Sequence, residues 1–242
     1  MNELNLPAFF INRDVDSHRR QLIETELRAA GIGARRSAGV DGYATPEALV
    51  PYYDGTLSAG ETGCSASHLV VARTILAERL PFALVLEDDA RLCAGFLEMI
   101  KLALPRLPRN WDIVRLCRRS RKAADTVAQL SGGRQLVRYI RMPYGTAGLL
   151  VSASGAQKLL TPRLIKEPID VEISRPWRLG LNVFGIDPPI VEEVDRGVLP
   201  STIEHRTRSS KSSNLARMAF NISNVGLLRY LRCEFQRVPS RD

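Results

Sequence analysis

Leu84-Val85-Leu86-Glu87-Asp88-Asp89 is an apolar run that ends abruptly in three consecutive carboxylates. A short aliphatic run bounded in this way reads as a buried strand of an α/β sheet. Ligands of open α/β sheets gather outside the carboxyl ends of such strands. Three like charges at that point repel one another and are costly to desolvate unless a cation or a proton is shared. A hard divalent metal meets that need, because Mg²⁺ or Mn²⁺ takes carboxylate oxygens and keeps positions open for substrate phosphates. The plain alternative is a strand that exits into a solvated acidic turn, and the tripeptide alone divides evenly between the two readings.

Working outward, Ala8-Phe9-Phe10-Ile11 reads as a first strand that ends at Asn12-Arg13-Asp14. Asp16 or Ser17 can cap a helix carrying Leu22, Ile23 and Leu27, and Gly31 stops it. Residues 32–57 read as loop-rich. Ser58-Ala59-Gly60-Glu61 is a capping box, with Glu three residues after Ser, and opens a helix to about Arg79. Glu61, Ser65 and His68 recur on one face of it. Cys64 lies four residues before His68, but two metal ligands without further partners make a weak site. A hydrogen-bonded packing role for the histidine weighs about the same. Downstream, the pattern predicts a helix over 96–104, a strand over 111–116, a basic loop or short helix over 118–134 and a strand over 146–151. Ser154-x-x-Gln157 is expected to cap a helix through Leu160, and a last strand over 183–186 ends at Pro188-Pro189. Strands alternating with helices indicate the α/β class.

At 242 residues the chain suits one large domain, or one domain with an appendage. Its 45% hydrophobic and 25% charged content is globular rather than disordered, and no stretch is apolar for long enough to cross a bilayer. Four dispersed cysteines without a C-x-x-C pair argue against a disulfide framework or a structural zinc site and suit a reducing compartment. The polar opening Met1-Asn2-Glu3-Leu4-Asn5 is not expected to act as a secretory signal. A cytoplasmic location follows as the expectation.

The net charge of +8 is uneven. Residues 201–242 hold eight Lys/Arg against three acids, a surplus of five, which leaves +3 for the first 200 residues. Two units are therefore expected: a main domain over 1–200 and a basic tail over 201–242. Ser209-Ser210-Lys211-Ser212-Ser213 reads as a linker. Beyond it, Phe220, Leu227, Leu228, Leu231 and Phe235 fall near helical spacing beside Arg229 and Arg232. Such a helix suits an anionic membrane surface or docking on the main domain equally well. The tail lacks the interleaved aromatics that stack on bases, so nucleic acid is not expected as a partner.

Four blocks, in this order, resemble glycosyltransferase family 25, the lipooligosaccharide galactosyltransferase family of Gram-negative bacteria. The first is Phe10-Ile11-Asn12-Arg13, with Arg19-Arg20 and Ala38-Gly39-Val40-Asp41-Gly42 after it. The second, Gly60-Glu61-Thr62-Gly63-Cys64-Ser65-Ala66-Ser67-His68, looks like that family's GEIGC-x-x-SH block, with Thr62 where Ile is usual. The third is the acidic strand end itself, similar to the family's LEDD metal motif. The fourth is Gly145-Thr146-Ala147-Gly148 running into Ser154-Gly155-Ala156, followed by Pro168-Ile169-Asp170. Together they span roughly residues 8–192. Gly148 stands where a larger residue is common, which is expected to widen the acceptor pocket.

The resemblance implies a GT-A-type, Rossmann-like nucleotide-sugar-binding fold, a UDP-sugar donor and Mn²⁺ or Mg²⁺. Asp89 becomes the expected metal anchor, with Glu87 or Asp88 in support. Asn12, Arg13 and Asp41 are placed to hold the nucleotide, and Ser65, His68 and Thr146 to face the sugar or phosphates, with His68 also a catalytic candidate. An inverting transfer needs a base on the acceptor hydroxyl; Asp170 is the first candidate and Glu192 the second. The expected reaction moves galactose to a saccharide or lipid-linked saccharide of lipopolysaccharide type, near the inner face of the cytoplasmic membrane if the tail binds there. A UDP-N-acetylhexosamine donor and a non-catalytic membrane-surface protein are the alternatives. A phosphohydrolase using Asp88 as nucleophile fits poorly, because Asp88 and Asp89 are adjacent and followed by Ala90-Arg91.

Overall fold

A computed structural model of the chain describes residues 6–120, 122–194 and 213–235. All of β1 (Ala8–Asn12) is buried, and β3 (Phe82–Glu87) is buried through its centre. The two run parallel with Ile11 opposite Glu87, so their carboxyl ends reach one edge of the sheet. β2 (Arg35–Ala38) pairs parallel on the far side of β1. The crossovers between these strands carry helices: α1 (Ser17–Ala29), burying Ile23 and Leu27, and α2 (Ala59–Ala77).

Beyond β3 the sheet turns antiparallel. β8 (Gly148–Ser152) lies between β3 and β5 (Ile113–Arg115), and β9 (Val183–Asp187) continues parallel to β5. A hairpin of β6 (Ala124–Gln129) and β7 (Gln135–Tyr139) completes eight strands in the order β2-β1-β3-β8-β5-β9-β7-β6. The α/β class expected from the sequence holds, with the parallel strands β2-β1-β3 at one end of a mixed sheet. A small antiparallel pair, β4 (Ala90–Leu92) with β10 (Val191–Glu193), folds back beside the acidic turn.

Alternation along the strands divides the core into two layers. Phe10, Leu84 and Leu86 face α1 and α3 (Phe96–Ala103) through Ile23 and Ile100. Phe9, Ile11 and Val85 face α2 through Leu69 and Ile75, with α4 (Ala153–Leu159) and α5 (Ile169–Ile173) on the same side. Each such aliphatic side chain contributes roughly 1.5–3 kcal/mol on burial, so the strand ends that carry charge rest on a rigid base.

Several local expectations change. Within the basic stretch 118–134, expected as a loop or short helix, residues 124–129 are strand β6 of the hairpin, and the loop after it turns through Gly132 and Gly133 at φ +61 and +73. Glycine takes that left-handed backbone without the Cβ penalty. Ser152 rather than Ser154 caps α4, accepting from the Gly155 amide at 3.0 Å, while the Ser154 hydroxyl donates to Asp112 at 2.6 Å. Gly148 does not widen a pocket. A Cβ there would lie 2.8 Å from Val191, so its absence lets β10 settle against the sheet.

The expected boundary near residue 200 and residues 209–212 of the linker expected over 209–213 lie outside the described residues; Ser213, its last residue, caps the helix that follows. Beyond them, α6 (Asn214–Val225) and α7 (Leu227–Phe235) dock on the hairpin end. Tyr230 and Cys233 pack with Ile140, Asn221 donates to the Ile140 carbonyl at 2.8 Å, and Phe220 meets Trp177. No helix among the described residues is long and apolar enough to cross a membrane.

Candidate active site

A cavity of about 680 Å³ opens at the carboxyl ends of β1 and β3. One wall is the first turns of α2, whose start is held by the capping box: Ser58 accepts from the Glu61 amide, and Glu61 accepts from the Ser58 amide at 3.2 Å. The loop carrying Gly39 to Gly42 lies tight against this helix. A Cβ at Gly42 would fall 1.8 Å from the Ala59 carbonyl oxygen, and one at Gly63 would fall 2.5 Å from that of Val40. Glycine at both positions is what lets Asp41 reach the cavity rim.

The three carboxylates at the end of β3 have three different surroundings. Asp88 is buried and fully engaged: Asn12 Nδ2 donates to it at 2.8 Å and Arg19 Nε at 2.7 Å, with Arg19 Nη2 at 2.6 Å. Glu87 lies 3.1 Å from His68 Nε2 and accepts from Thr146. Burial pushes its carboxyl up, but His68, Thr146 and Arg119 outweigh that and hold it below its ordinary value. Asp89 meets Arg19 Nη2 at 3.1 Å through Oδ2, whereas its buried Oδ1 has no hydrogen-bond partner among the described residues. Burial first and Glu87 second push its carboxyl up to about 7; Glu193 and Asp88 add to this, and Arg19 opposes it.

A buried carboxylate oxygen left without a donor is costly, and a divalent cation removes that cost. Asp89, with Glu87 and Glu193 as its charged neighbours, therefore fits a hard cation. Asp88 does not fit a direct ligand role, because both its oxygens already hold Asn12 and Arg19. It ties α1 to the strand end instead.

Other expected residues sort as follows. Asn12, Arg13, Asp41, His68, Thr146 and Asp170 all line the cavity. Arg13 is held by Asp16 at 2.6 Å and reaches solvent at the rim; Asp41 accepts from the Tyr43 amide at 3.0 Å. Asp170, at the start of α5, lies 4.0 Å from Arg119. Ser65 is not at the cavity. It is fully buried and accepts from the Tyr53 hydroxyl at 3.0 Å, because the lining stripe of α2 runs through Gly60, Cys64, Ser67 and His68. Glu192 is also displaced: strand alternation in β10 turns it to solvent and turns Glu193 inward.

Glu193 and Arg119 escaped the sequence reading. Arg119 Nε donates to Glu193 at 3.0 and 3.2 Å, so these two residues, 74 positions apart, form the far wall. No local pattern announces either one; the only hint was that Glu192 and Glu193 are consecutive, and a strand can present just one of them to a given side.

The family model described as Glycosyltransferase family 25 (LPS biosynthesis protein) matches residues 5–172. A glycosyltransferase 25 family member of Aedes aegypti is 30% identical over 155 residues, 63% of this chain and 24% of that one. Procollagen galactosyltransferase 1 of Danio rerio is 27% identical over 181 residues, 68% of this chain and 30% of that one. The inactive glycosyltransferase 25 family member 3 of Homo sapiens is 29% identical over 143 residues, 57% and 23% of the respective chains. Each match spans less than a third of the relative's length. Among solved structures, a glycosyltransferase involved in glycosylation of the major capsid of PBCV-1 aligns with a TM-score of 0.36 at 9% identity, over 64% of this chain and 63% of that one.

Proposed function

The chain belongs to glycosyltransferase family 25, and from that premise we propose that it transfers galactose from a UDP-sugar to a saccharide acceptor of lipopolysaccharide type, with metal assistance and inversion. The observation that carries this reading is Asp89, a residue of the cavity wall at the strand ends, whose carboxyl is raised and whose buried Oδ1 has no hydrogen-bond partner among the described residues. Galactose is supported by the names of relatives such as the Danio rerio procollagen galactosyltransferase, and the acceptor class by the description of the family model.

In this reading the rim guanidinium of Arg13 and the first amides of α2 receive the diphosphate. Asn12 and Asp41 flank the nucleotide. Asp89, with Glu87 and Glu193 as its charged neighbours, would hold a divalent cation, whose positive charge would offset that of the leaving diphosphate. His68 and Thr146 hold Glu87 in place for that task. Asp170 takes the proton of the acceptor hydroxyl as its oxygen bonds to the anomeric carbon and the sugar–phosphate bond breaks. Arg119 stands between Asp170 and Glu193 and so ties the base to the cation set.

The location that suits this acceptor is the inner face of the cytoplasmic membrane. Leu228 and Phe235, 84% and 79% exposed, project from α7 beside the exposed Arg229, an arrangement suited to an anionic lipid surface. Co-sedimentation with anionic vesicles, lost in Leu228→Asp/Phe235→Asp, is the expected result; equal recovery of the variant would remove the membrane contact.

The deciding experiment is UDP release from UDP-galactose, UDP-glucose and the two UDP-N-acetylhexosamines, with and without Mn²⁺. Release from UDP-galactose that needs the metal and disappears in Asp89→Asn is expected. Release from an N-acetylhexosamine donor alone would replace the donor, and metal-independent release unaffected in Asp89→Asn would overturn the mechanism. Supplying saccharide and procollagen-derived acceptors in parallel decides between the acceptor named by the family description and the one named by the relatives.

A further inference from the structure

We propose that Cys64, His68 and Glu87 form a three-ligand site for a thiophilic divalent cation, zinc first, which shares only Glu87 with the carboxylate site at Asp89. Cys64 and His68 lie one turn apart on α2 and so point the same way. The end of β3 brings Glu87 against them from the sheet. One ligand atom from each of the three lies within 4.8 Å of the others, and His68 Nε2 to Glu87 Oε1 is 3.1 Å. Bonds of about 2.0–2.3 Å in tetrahedral geometry place zinc's ligand atoms about 3.3–3.6 Å apart. The two nitrogen and oxygen donors are already near that spacing, and an adjustment on the order of 1 Å by the cysteine side chain completes it.

The donor set selects the metal. Thiolate and imidazole favour zinc or cobalt over the oxygen-seeking Mn²⁺ and Mg²⁺. His68 is buried and Glu87 is steadied by the Thr146 hydroxyl, the kind of outer contact that orients metal ligands. All three residues line the cavity, so the fourth coordination position opens toward it and remains available to water or an anion. Glu87 also belongs to the carboxylate set, and zinc therefore competes with Mn²⁺ through that shared residue. The assignment rests on these three side chains and does not require the transferase reading.

Cobalt(II) is the probe, because thiolate-to-cobalt charge transfer gives a near-ultraviolet band that carboxylate-bound cobalt lacks. The full-length protein is expected to develop this band on cobalt titration and to lose it when zinc is added. Cys64→Ala is expected to abolish the band and weaken zinc binding by about 100-fold. Cys93→Ser, at a thiol away from the cavity, is expected to retain both. His68→Gln leaves every thiol in place and is expected to weaken cobalt and alter its visible bands, which decides the matter if circular dichroism shows Cys64→Ala to be unfolded. Asp89→Asn should keep the band; its loss of Mn²⁺ affinity, read by electron paramagnetic resonance, bears only on the carboxylate site. No band in the unmodified protein, a band that survives Cys64→Ala, or one lost in Cys93→Ser or Asp89→Asn overturns the assignment.

Discussion

At the corner where α5 begins, Glu167, just before the helix, and Glu172, within it, are buried more deeply than Glu87 and Asp89 at the end of β3, and their surroundings are opposite. Arg175 and Arg178 both bond Glu167, the latter at 2.7 Å, and Arg163 and Arg178 reach Glu172 at 3.4 Å. Every carboxylate in that corner faces a guanidinium. At the strand end, Arg19 neutralises Asp88 and touches one oxygen of Asp89, and the other oxygen is buried without a partner among the described residues, beside Glu87 and Glu193. The two groups of acids thus differ in more than burial. What distinguishes them is whether the fold supplies the counter-charge or leaves it to be supplied by a ligand.

The largest expected effect is on Asp89. Asp89→Asn should lower metal-dependent UDP release by about 1000-fold, in line with loss of a major electrostatic contribution, without lowering the melting temperature of the cation-free protein. Retained turnover would break the comparison outright. The same residue carries a pH signature. Its carboxyl titrates at about 7 in the folded protein against an ordinary value of 3.8, so the folded state binds the proton more tightly. The stability contributed by this proton is fully present below pH 3.8 and is lost as the pH rises through about 7. Denaturant titrations of the cation-free protein between these values should show that decline, and Asp89→Asn should flatten it.

On the paired side, Glu167→Ala leaves Arg175 buried without its main partner and should cost about 3 kcal/mol of unfolding free energy. The folded fraction should keep its turnover, because Glu167 is not part of the cavity wall. Unchanged stability would mean that the corner is not the self-sufficient network its geometry describes. Asp170→Asn sharpens the contrast from inside the cavity: turnover should fall by about 100-fold with little change in melting, as for a general base rather than a structural acid. The smallest effect is expected from Ser58→Ala, which removes one half of the capping box and should cost about 1 kcal/mol, read by thermal melting. A larger loss would show that the start of α2 is held by less else than its packing implies.

The regular part of the fold was legible because its signals are local. The first strand, the acidic strand and the capping box each declare themselves within a few residues, and each lies where the pattern places it. The hairpin over 124–139 was not, since β6 is half-exposed and lacks an apolar face to announce it. In the site, Asn12, Arg13, Asp41, Thr146, His68 and Asp170 reach the cavity as the motif blocks imply. Ser65 and Glu192 lie off the cavity for one reason: each is a neighbour, one position or a fraction of a helical turn away, of a residue that does line it. Periodicity identifies a face, but the strand register or helix rotation that aims that face is set by packing against the rest of the molecule.

The sequence by itself determined that a buried strand ends in three acids, that a capped helix carries Cys64 and His68 on one side, and that these blocks follow one another in the order of one family. Only the tertiary structure decided which acid is satisfied and which is not. Asn12 reaches Asp88 across 76 positions, and Glu87 arrives against Cys64 and His68 from a different element altogether. Local patterns encode backbone geometry, which depends on neighbours in the chain. Pairing of buried charges depends on which side chains the sheet and its crossovers bring within about 3 Å, and that is a property of the assembled fold.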